Sequence, residues 1–140
     1  MSFAGMNYVA IVIAAVIGWL VGAVWYGALF GKPWMAANNL TPETIKARGA
    51  AVLPFVIAFA AQLIMAWVLA GLLGHLGPGQ VTVRSGVISA AFCWLGFVIT
   101  TMAVNNAFAG RKPALLLIDG GHWLAVLAVM GAVIGWFGVK

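Results

Sequence analysis

Four long apolar stretches alternate with short polar segments along this chain of 140 residues. The apolar stretches cover residues 7–30, 50–75, 84–108 and 113–137 and contain few charged side chains. Each is at least as long as the roughly 20 apolar residues that a helix needs to cross a bilayer. The pattern therefore predicts a single domain, residues 1–140, folded as an all-α integral membrane bundle of four transmembrane helices with short loops.

The composition of the chain also indicates a membrane protein. Hydrophobic residues make up 65% of the chain and charged residues only 6%, whereas soluble domains carry about 25% charged residues. The net charge of +5 does not indicate nucleic-acid binding, because the basic residues are scattered between the apolar stretches. We therefore expect the lipid bilayer as the surroundings of the protein and no nucleic acid as a partner.

The positions of the basic residues predict the orientation in the membrane, because lysine and arginine concentrate in cytoplasmic loops. Arg84 and Lys140 fall on one side of the predicted bundle. The other five basic residues fall on the opposite side, namely Lys32, Lys46, Arg48, Arg111 and Lys112. We expect these basic loops in the cytoplasm, both termini outside, and a location in the bacterial inner membrane. An aromatic belt is predicted at the basic interface, formed by Trp25, Tyr26 and Trp34.

A helix is predicted to begin in the first basic loop. Thr41 is suited to cap this helix, Pro42 fits the first helical position, and Glu43 favours the positive end of the helix dipole. We expect this helix to run on into the membrane near Ala50 as the second span. Pro54 would then kink it close to the membrane entrance.

Glycines spaced four residues apart occur in and just after the first span and in the fourth. In lipid, such pairs let helix backbones approach closely. We expect these residues to pack helices together within the monomer, with self-association into a homo-oligomer as the alternative. They are Gly18, Gly22, Gly27, Gly31, Gly131 and Gly135.

The least expected side chains for a membrane helix are Asp119 and His122, three residues apart on one face of the fourth span. From the helix rise, Asp119 lies ~9 Å and His122 ~13 Å beyond the preceding turn. On the antiparallel third span, Asn105 lies ~7 Å and Thr101 ~13 Å from the same turn. We therefore predict one polar cluster in the cytoplasmic half, with Asp119 level with Asn105 and His122 level with Thr101. Three cations could reach it from the loops: Arg48, Arg111 and Lys112.

Gln62, near the middle of the second span, is predicted either to bond another helix or to line the same polar path. Ionisable groups inside spans often mark the paths of ions or protons. The candidate ion or small-ligand site therefore comprises Asp119, His122, Asn105, Thr101 and Gln62. The alternative hypothesis is a self-satisfied pair of Asp119 with His122 or an arginine, which would only stabilise the bundle.

The chain offers little for catalysis or metal binding. Zinc sites use three or four strong ligands, whereas only Asp119 and His122 fall together, and His75 belongs to the opposite side. Two acidic residues and two histidines also assemble no catalytic triad or paired carboxylates. We expect no cofactor, no metal and no enzyme. The remaining hypotheses are a small oligomeric transporter or channel, and a structural or accessory protein that self-associates or binds a membrane partner.

Several runs in the chain are similar to those of a known membrane family. They are Met6-Asn7-Tyr8, Gly22-Ala23-Val24-Trp25-Tyr26, Phe30-Gly31-Lys32-Pro33-Trp34-Met35, Leu40-Thr41-Pro42-Glu43, Ile118-Asp119-Gly120-Gly121-His122-Trp123-Leu124 and Met130-Gly131-Ala132-Val133-Ile134-Gly135. Over nearly its whole length the chain resembles the bacterial family catalogued as domain of unknown function 1761. The resemblance implies a compact four-helix bundle and no established activity. It also implies asparagine at position 119 and tyrosine at position 122, so Asp119 and His122 would not be a family-wide catalytic requirement.

Overall fold

The computed structural model describes residues 6–49 and 52–138, and every regular element within these ranges is helical. Four helices are long and apolar enough to cross a membrane, which confirms the predicted all-α bundle with four spans. Two short helices, α2 and α3, lie in the loop after the first span. The helices are α1 (Tyr8–Leu29), α2 (Gly31–Ala37), α3 (Pro42–Ala47), α4 (Leu53–Gly74), α5 (Val83–Phe108) and α6 (Pro113–Phe137).

Helix α6 lies at the centre of the bundle. It packs most extensively against α5 and α1 and also contacts α4, while α4 packs mainly on α1. Gly131 of α6 lies directly against the backbone of Gly86, and Gly135 lies against the backbone of Thr82 and Val83. A side chain at Gly131 or Gly135 would collide with the α5 backbone, so these two helices touch backbone to backbone.

The predicted glycine packing is only partly found. Gly18 and Gly22 of α1 lie against side chains of α4 and α6. Gly27, in contrast, has no atom of another helix within 4 Å of the place where a β-carbon would stand, and Gly31 approaches only the carbonyl of Tyr26. The prediction that Gly27 and Gly31 pack helices within the monomer is therefore wrong, because the chain leaves the first span between them.

Side chains in two of the long helices depart from regular α-helical spacing because each helix contains a π-helical turn. These turns are Trp25–Leu29 in α1 and Trp94–Val98 in α5. A π turn bonds residue i to i+5 and so holds one more residue than an α turn. Side chains beyond it are shifted by about one position around the helix. In α5 this shift turns Asn106 to the buried face and leaves Asn105 exposed.

The second helix in the first basic loop, α3, begins where the sequence predicted. The hydroxyl of Thr41 accepts a hydrogen bond from the Thr44 N–H at 3.1 Å, and Pro42 is the first residue of α3. Across the end of the bundle, the Lys112 ammonium donates a hydrogen bond to Asn39 Oδ1 at 3.2 Å. This bond joins the two basic loops.

The expected continuous second helix is wrong. Helix α3 ends before Gly49, whose φ of 75° reverses the chain, a conformation that favours glycine at helix C-termini. A new helix, α4, begins at Leu53 with Pro54 in its first turn. Pro54 therefore starts a helix rather than kinking one, because a missing N–H costs nothing there. The predicted entry point at Ala50 lies outside the described residues.

The half of the bundle distant from the basic loops has an apolar core. Small side chains of α1, among them Ala10 and Ala14, leave room for larger ones from α4 and α6. Leu73 and Met130 are completely buried there, and Ile134 is 3% exposed. These side chains pack against one another and leave this half of the bundle interior closely filled. The polar side chains of the core occupy mainly the other half.

A polar row inside the bundle

The polar site is built on α6, where Asp119 faces α1. The hydroxyl of Tyr26 donates a hydrogen bond to Asp119 Oδ1 at 2.5 Å. The other carboxylate oxygen lies 3.9 Å from Nη2 of Arg111, and the Asp119 side chain is 14% exposed. The carboxylate thus has a neutral donor from α1 and a cation from the turn before α6. It lies partly exposed toward the basic end of the bundle.

Arg111 connects this carboxylate to α5. Its Nη1 donates a hydrogen bond to Asn106 Oδ1 at 3.4 Å, and Asn106 is 8% exposed. The Asn106 amide nitrogen is buried without a partner among the described residues. Because of the π turn in α5, the residue that faces the bundle interior is Asn106 and not Asn105.

Two tryptophans hold α6 on either side of Asp119. The Trp25 indole N–H donates to the carbonyl of Ile118 at 3.0 Å, and the Trp94 indole N–H donates to the carbonyl of Gly120 at 2.8 Å. Each tryptophan is the first residue of a π turn, a feature often found at functional sites. Each bond uses a second lone pair of a helical carbonyl and fixes the rotation of α6 about its axis.

The glycines beside Asp119 make this close approach possible. A β-carbon at Gly121 would stand 3.1 Å from the Trp25 ring, and one at Gly120 would stand 2.5 Å from the end of the Ile99 side chain. A larger residue at Gly121 would push Trp25 away from α6. The run Asp119-Gly120-Gly121-His122 therefore combines two polar side chains with a stretch of backbone that side chains of α1 and α5 approach closely.

His122 is enclosed by aromatic rings. Its side chain is 5% exposed, and its ring centroid lies 4.6 Å from Trp123, 5.0 Å from Tyr26 and 6.4 Å from Trp25. We call these three rings the aromatic cage. Both ring nitrogens are buried without a hydrogen-bond partner in the described parts of the chain. On the open side, Nε2 lies 3.1 Å from the position that a β-carbon of Gly22 would occupy.

Gln62 of α4 lies deeper in the bundle. It is 2% exposed, and its Oε1 is buried without a partner in residues 6–49 and 52–138. This oxygen lies 2.8 Å from the position that a β-carbon of Gly18 would occupy. Neither alternative predicted for Gln62 is decided by this contact, since no hydrogen bond of its oxygen to another helix is present.

Three residues of α1, spaced four apart, meet the interior polar groups in sequence. Gly18 lies against Gln62, Gly22 lies against His122, and Tyr26 bonds Asp119. The row runs from the basic end, at Arg111, to about the middle of the bundle. We call this set the polar row, and its members are Arg111, Asp119, Tyr26, His122 and Gln62.

Three of the five residues predicted for the site belong to the polar row: Asp119, His122 and Gln62. Thr101 and Asn105 do not, since both are exposed on α5. The Thr101 hydroxyl donates instead to the Phe97 carbonyl of its own helix at 2.5 Å. The prediction that Asp119 lies level with Asn105, and His122 level with Thr101, in one cluster is also wrong. Trp94 bonds the Gly120 carbonyl and Ile99 contacts Gly120, so residues 94–99 of α5 lie beside Asp119.

Tyr26 is the main member that sequence reasoning missed. It was assigned with Trp25 to the aromatic belt at the membrane interface, whereas both residues are partly buried against α6. A signal for Tyr26 was present, because it follows Gly18 and Gly22 at the same spacing of four residues. A polar residue that continues a row of small residues shares their inward face.

The chemistry of the site is that of hydrogen bonds and one acid–imidazole pair. Within the described ranges, no three His, Cys, Asp or Glu side chains converge in a way that could hold a metal ion. His122 and Asp119 are separated by one helical turn, which brings their β-carbons to about 5–6 Å. The side chains of the site can therefore form hydrogen bonds and exchange protons.

A family model described as "Protein of unknown function (DUF1761)" matches residues 9–135. The match contains every residue of the polar row, both π turns, all of α4 and α5, and all of α1 and α6 except Tyr8, Trp136 and Phe137. No curated protein and no solved structure gives a significant match to the chain.

Proposed function

The chain belongs to the DUF1761 family of proteins of unknown function, and from its polar row we propose that it is a small membrane transport protein. The species it moves is an ion or a small polar molecule that enters from the end of the bundle carrying the basic loops. Asp119 and His122 form the binding site, with Tyr26 and Gln62 on the path.

The observation that carries this proposal is the alignment of unpartnered buried polar atoms with Asp119. Both nitrogens of His122 and the oxygen of Gln62 lack hydrogen-bond partners in the described chain. Leaving one such group unsatisfied costs about 1–3 kcal/mol. A row that served only to hold the helices together would gain from closing these bonds internally. Groups left free to bond are what a binding site for a passing species requires.

The depth of the row supports transport as well. Gln62 lies ~14 Å along α4 from its first residue, and Gly18 lies ~16 Å along α1 from its last. Both positions are near the middle of a hydrocarbon layer about 30 Å thick. Transporters commonly bind their substrates at this depth. The apolar core of Leu73, Met130 and Ile134 closes the opposite half, as expected of a site that opens to one side at a time.

The proposal includes a homo-oligomer in the bacterial inner membrane with the basic loops in the cytoplasm. Helix α5 favours an assembly, because only 6% of its most apolar window is buried within the chain, against 44% for α6. Native mass spectrometry from lipid nanodiscs should give a single multimer, and a monomer at all protein concentrations would contradict this part.

Flux through sealed proteoliposomes tests the proposal. Purified wild type and Asp119→Asn would be compared under imposed pH, Na⁺ and K⁺ gradients, with a pH-sensitive and a potential-sensitive dye. Uptake of radiolabelled small polar solutes would be followed in parallel. Thr101→Val is the matched control, since Thr101 is exposed on α5 and bonds only its own helix. We expect flux in wild type and Thr101→Val and at least a tenfold loss in Asp119→Asn.

A structural role is the competing function, and one observation favours it. Asp119 has partners of its own in Tyr26 and Arg111, so the carboxylate could serve only to join α1 to α6. In that case no species would cross with either protein, while Asp119→Asn would lower thermal stability. Absence of any flux from wild type that is folded and assembled would overturn the transport proposal in favour of this role.

A further inference from the structure

We infer that the species taken up by the polar row is a proton, and that His122 holds it as an imidazolium inside the aromatic cage. This inference rests on the proposed transport function and names its substrate. It selects the proton over metal cations and larger solutes on the charges, the ligands and the ring geometry around Asp119 and His122.

Arg111 makes the site unsuitable for a metal cation. Its guanidinium lies 3.9 Å from Asp119 Oδ2 and so occupies space that the ligand shell of a metal cation at this carboxylate would need. A hard cation also needs several oxygen ligands, whereas Asp119 is the one carboxylate in the row. A proton needs one lone pair and no shell of ligands.

His122 has the lone pair and the surroundings that a proton requires. A neutral imidazole presents one ring nitrogen as an acceptor, and neither nitrogen of His122 is engaged by the described chain. The faces of aromatic rings attract a cation within about 6 Å. Trp123 and Tyr26 lie inside this distance at 4.6 and 5.0 Å, and Trp25 lies just beyond it at 6.4 Å. An aromatic ring can offer an imidazolium a cation–π attraction that an aliphatic side chain cannot.

The charged and titratable groups around His122 are few. Helix α1 contributes Tyr26, and α6 itself contributes Asp119, with Arg111 behind it. Helix α4 contributes the uncharged amide of Gln62 further along the row, and α5 contributes the Trp94 indole, which bonds Gly120. Asp119 is thus the nearest counter-charge for an imidazolium at His122, and it is also the more exposed member of this pair.

The proton moves in two balanced steps. A hydronium ion at the basic end gives its proton to a carboxylate oxygen of Asp119: an O–H bond of hydronium breaks, a carboxyl O–H bond forms, and water leaves. The carboxyl O–H bond then breaks as an N–H bond forms on His122, either directly or through one water or the Tyr26 hydroxyl, which already bonds Asp119. Asp119 returns to a carboxylate and His122 becomes an imidazolium. Nothing is oxidised or reduced.

The chain contains two histidines, which permits a direct test. His75→Gln removes the other imidazole, which lies at the far end of α4 and is exposed. The protein labelled with ¹⁵N-histidine in lipid then reports His122 alone. We expect the ¹⁵N shifts to change reversibly from those of a neutral tautomer to those of an imidazolium as the pH falls. In the same background, Asp119→Asn should slow proton exchange at His122 at least tenfold, and Thr101→Val should leave it unchanged.

Proteoliposome flux of the His75→Gln protein completes the test. Proton flux should be present and should fall at least tenfold in His122→Gln. A His122 that stays neutral over the whole pH range in which the protein is folded would overturn the inference, as would flux of Na⁺, K⁺ or a neutral solute without protons. The transport proposal would survive both of those results. Conversely, titration of His122 without flux of any species would overturn the transport proposal and keep His122 as a proton-binding group.

Discussion

At the scale of single residues, the environment of Asp119 explains how a carboxylate is accommodated inside an apolar bundle. A lone charge in a membrane helix is costly, and such residues usually face the bundle interior and pair with one another. Here the short bond from Tyr26 and the nearby guanidinium of Arg111 share that role. The partly exposed carboxylate keeps its contact with the basic end, while His122 one turn further is enclosed.

The contribution of the Tyr26 bond can be measured. Tyr26→Phe removes the hydroxyl that bonds Asp119 and leaves the ring against His122 and Trp34. A hydrogen bond to a charged group contributes about 1.5–3 kcal/mol, so we expect the free energy of unfolding to fall by about that amount.

Tyr8 supplies the matched control, since the chain contains only two tyrosines. Tyr8 is 56% exposed at the start of α1, and Tyr8→Phe should leave stability unchanged. Both variants would be unfolded in mixed micelles with increasing denaturing detergent. Equal stability of Tyr26→Phe and wild type would mean that the hydroxyl does not stabilise the carboxylate.

At the scale of the helical elements, the two π turns decide which residues meet. Each begins with a tryptophan that bonds α6, and each shifts the residues beyond it around the helix. In α5 the shift brings Asn106 toward Arg111. In α1 the π turn contains Tyr26, which continues the row of Gly18 and Gly22. An uninterrupted α-helix of the same sequence would present different side chains to α6.

The bond from Trp94 to α6 can be tested by removing only its donor. Trp94→Phe keeps an aromatic ring but loses the indole N–H that bonds the Gly120 carbonyl. Because that carbonyl keeps its helical bond, we expect a loss of about 0.5–1.5 kcal/mol in the free energy of unfolding. Trp136→Phe is the control, since Trp136 is 80% exposed. A loss of the same size in both variants would argue against a specific role for the Trp94 bond.

The contact between α5 and α6 gives a second prediction at this scale. Gly131→Ala would drive a β-carbon into the backbone of Gly86, and overpacking of this kind costs about 1–3 kcal/mol. We expect a marked loss of thermal stability in detergent. Gly27→Ala meets open space in a helical segment, so it should be neutral or stabilise by up to about 1 kcal/mol. The interpretation fails if the two variants behave alike.

At the scale of the whole molecule, the bundle has two unlike halves. One half, near the basic loops, holds the polar row, and the other holds the apolar core around Leu73 and Met130. The bond between Lys112 and Asn39 ties the two basic loops together at the same end. The polar row inside the bundle therefore lies toward the same end as the basic loops outside it.

The predicted orientation can be checked by cysteine labelling in Cys93→Ala, which removes the single native thiol. Ala47→Cys lies at the basic end, and Gln80→Cys lies in the turn between α4 and α5; both positions are exposed. In spheroplasts, an impermeant maleimide should label Gln80→Cys and should reach Ala47→Cys only after the cells are opened. The reverse pattern would place the basic loops outside and overturn the orientation.

The sequence by itself determined that this protein is a bundle of four membrane-spanning helices, because long apolar stretches have few other stable structures in lipid. It also pointed to Asp119 and His122, because charge in such a stretch is rare and easily recognised. The packing partners of Gly131 and the side chains that surround His122 were not readable from one sequence. A spacing of four residues describes a face only while the helix remains regular.

The tertiary structure decided the partners. The π turn of α5 places Asn106 on the buried face and leaves Asn105 and Thr101 exposed. The residues in the π turns do not by themselves predict such a shift. Tyr26 and Trp25 of the aromatic cage come from α1, distant in sequence from His122, and only the packing of α1 on α6 brings them together. The sequence determines which residues are polar inside the membrane, and the π turns of the helices determine which of these residues come into contact.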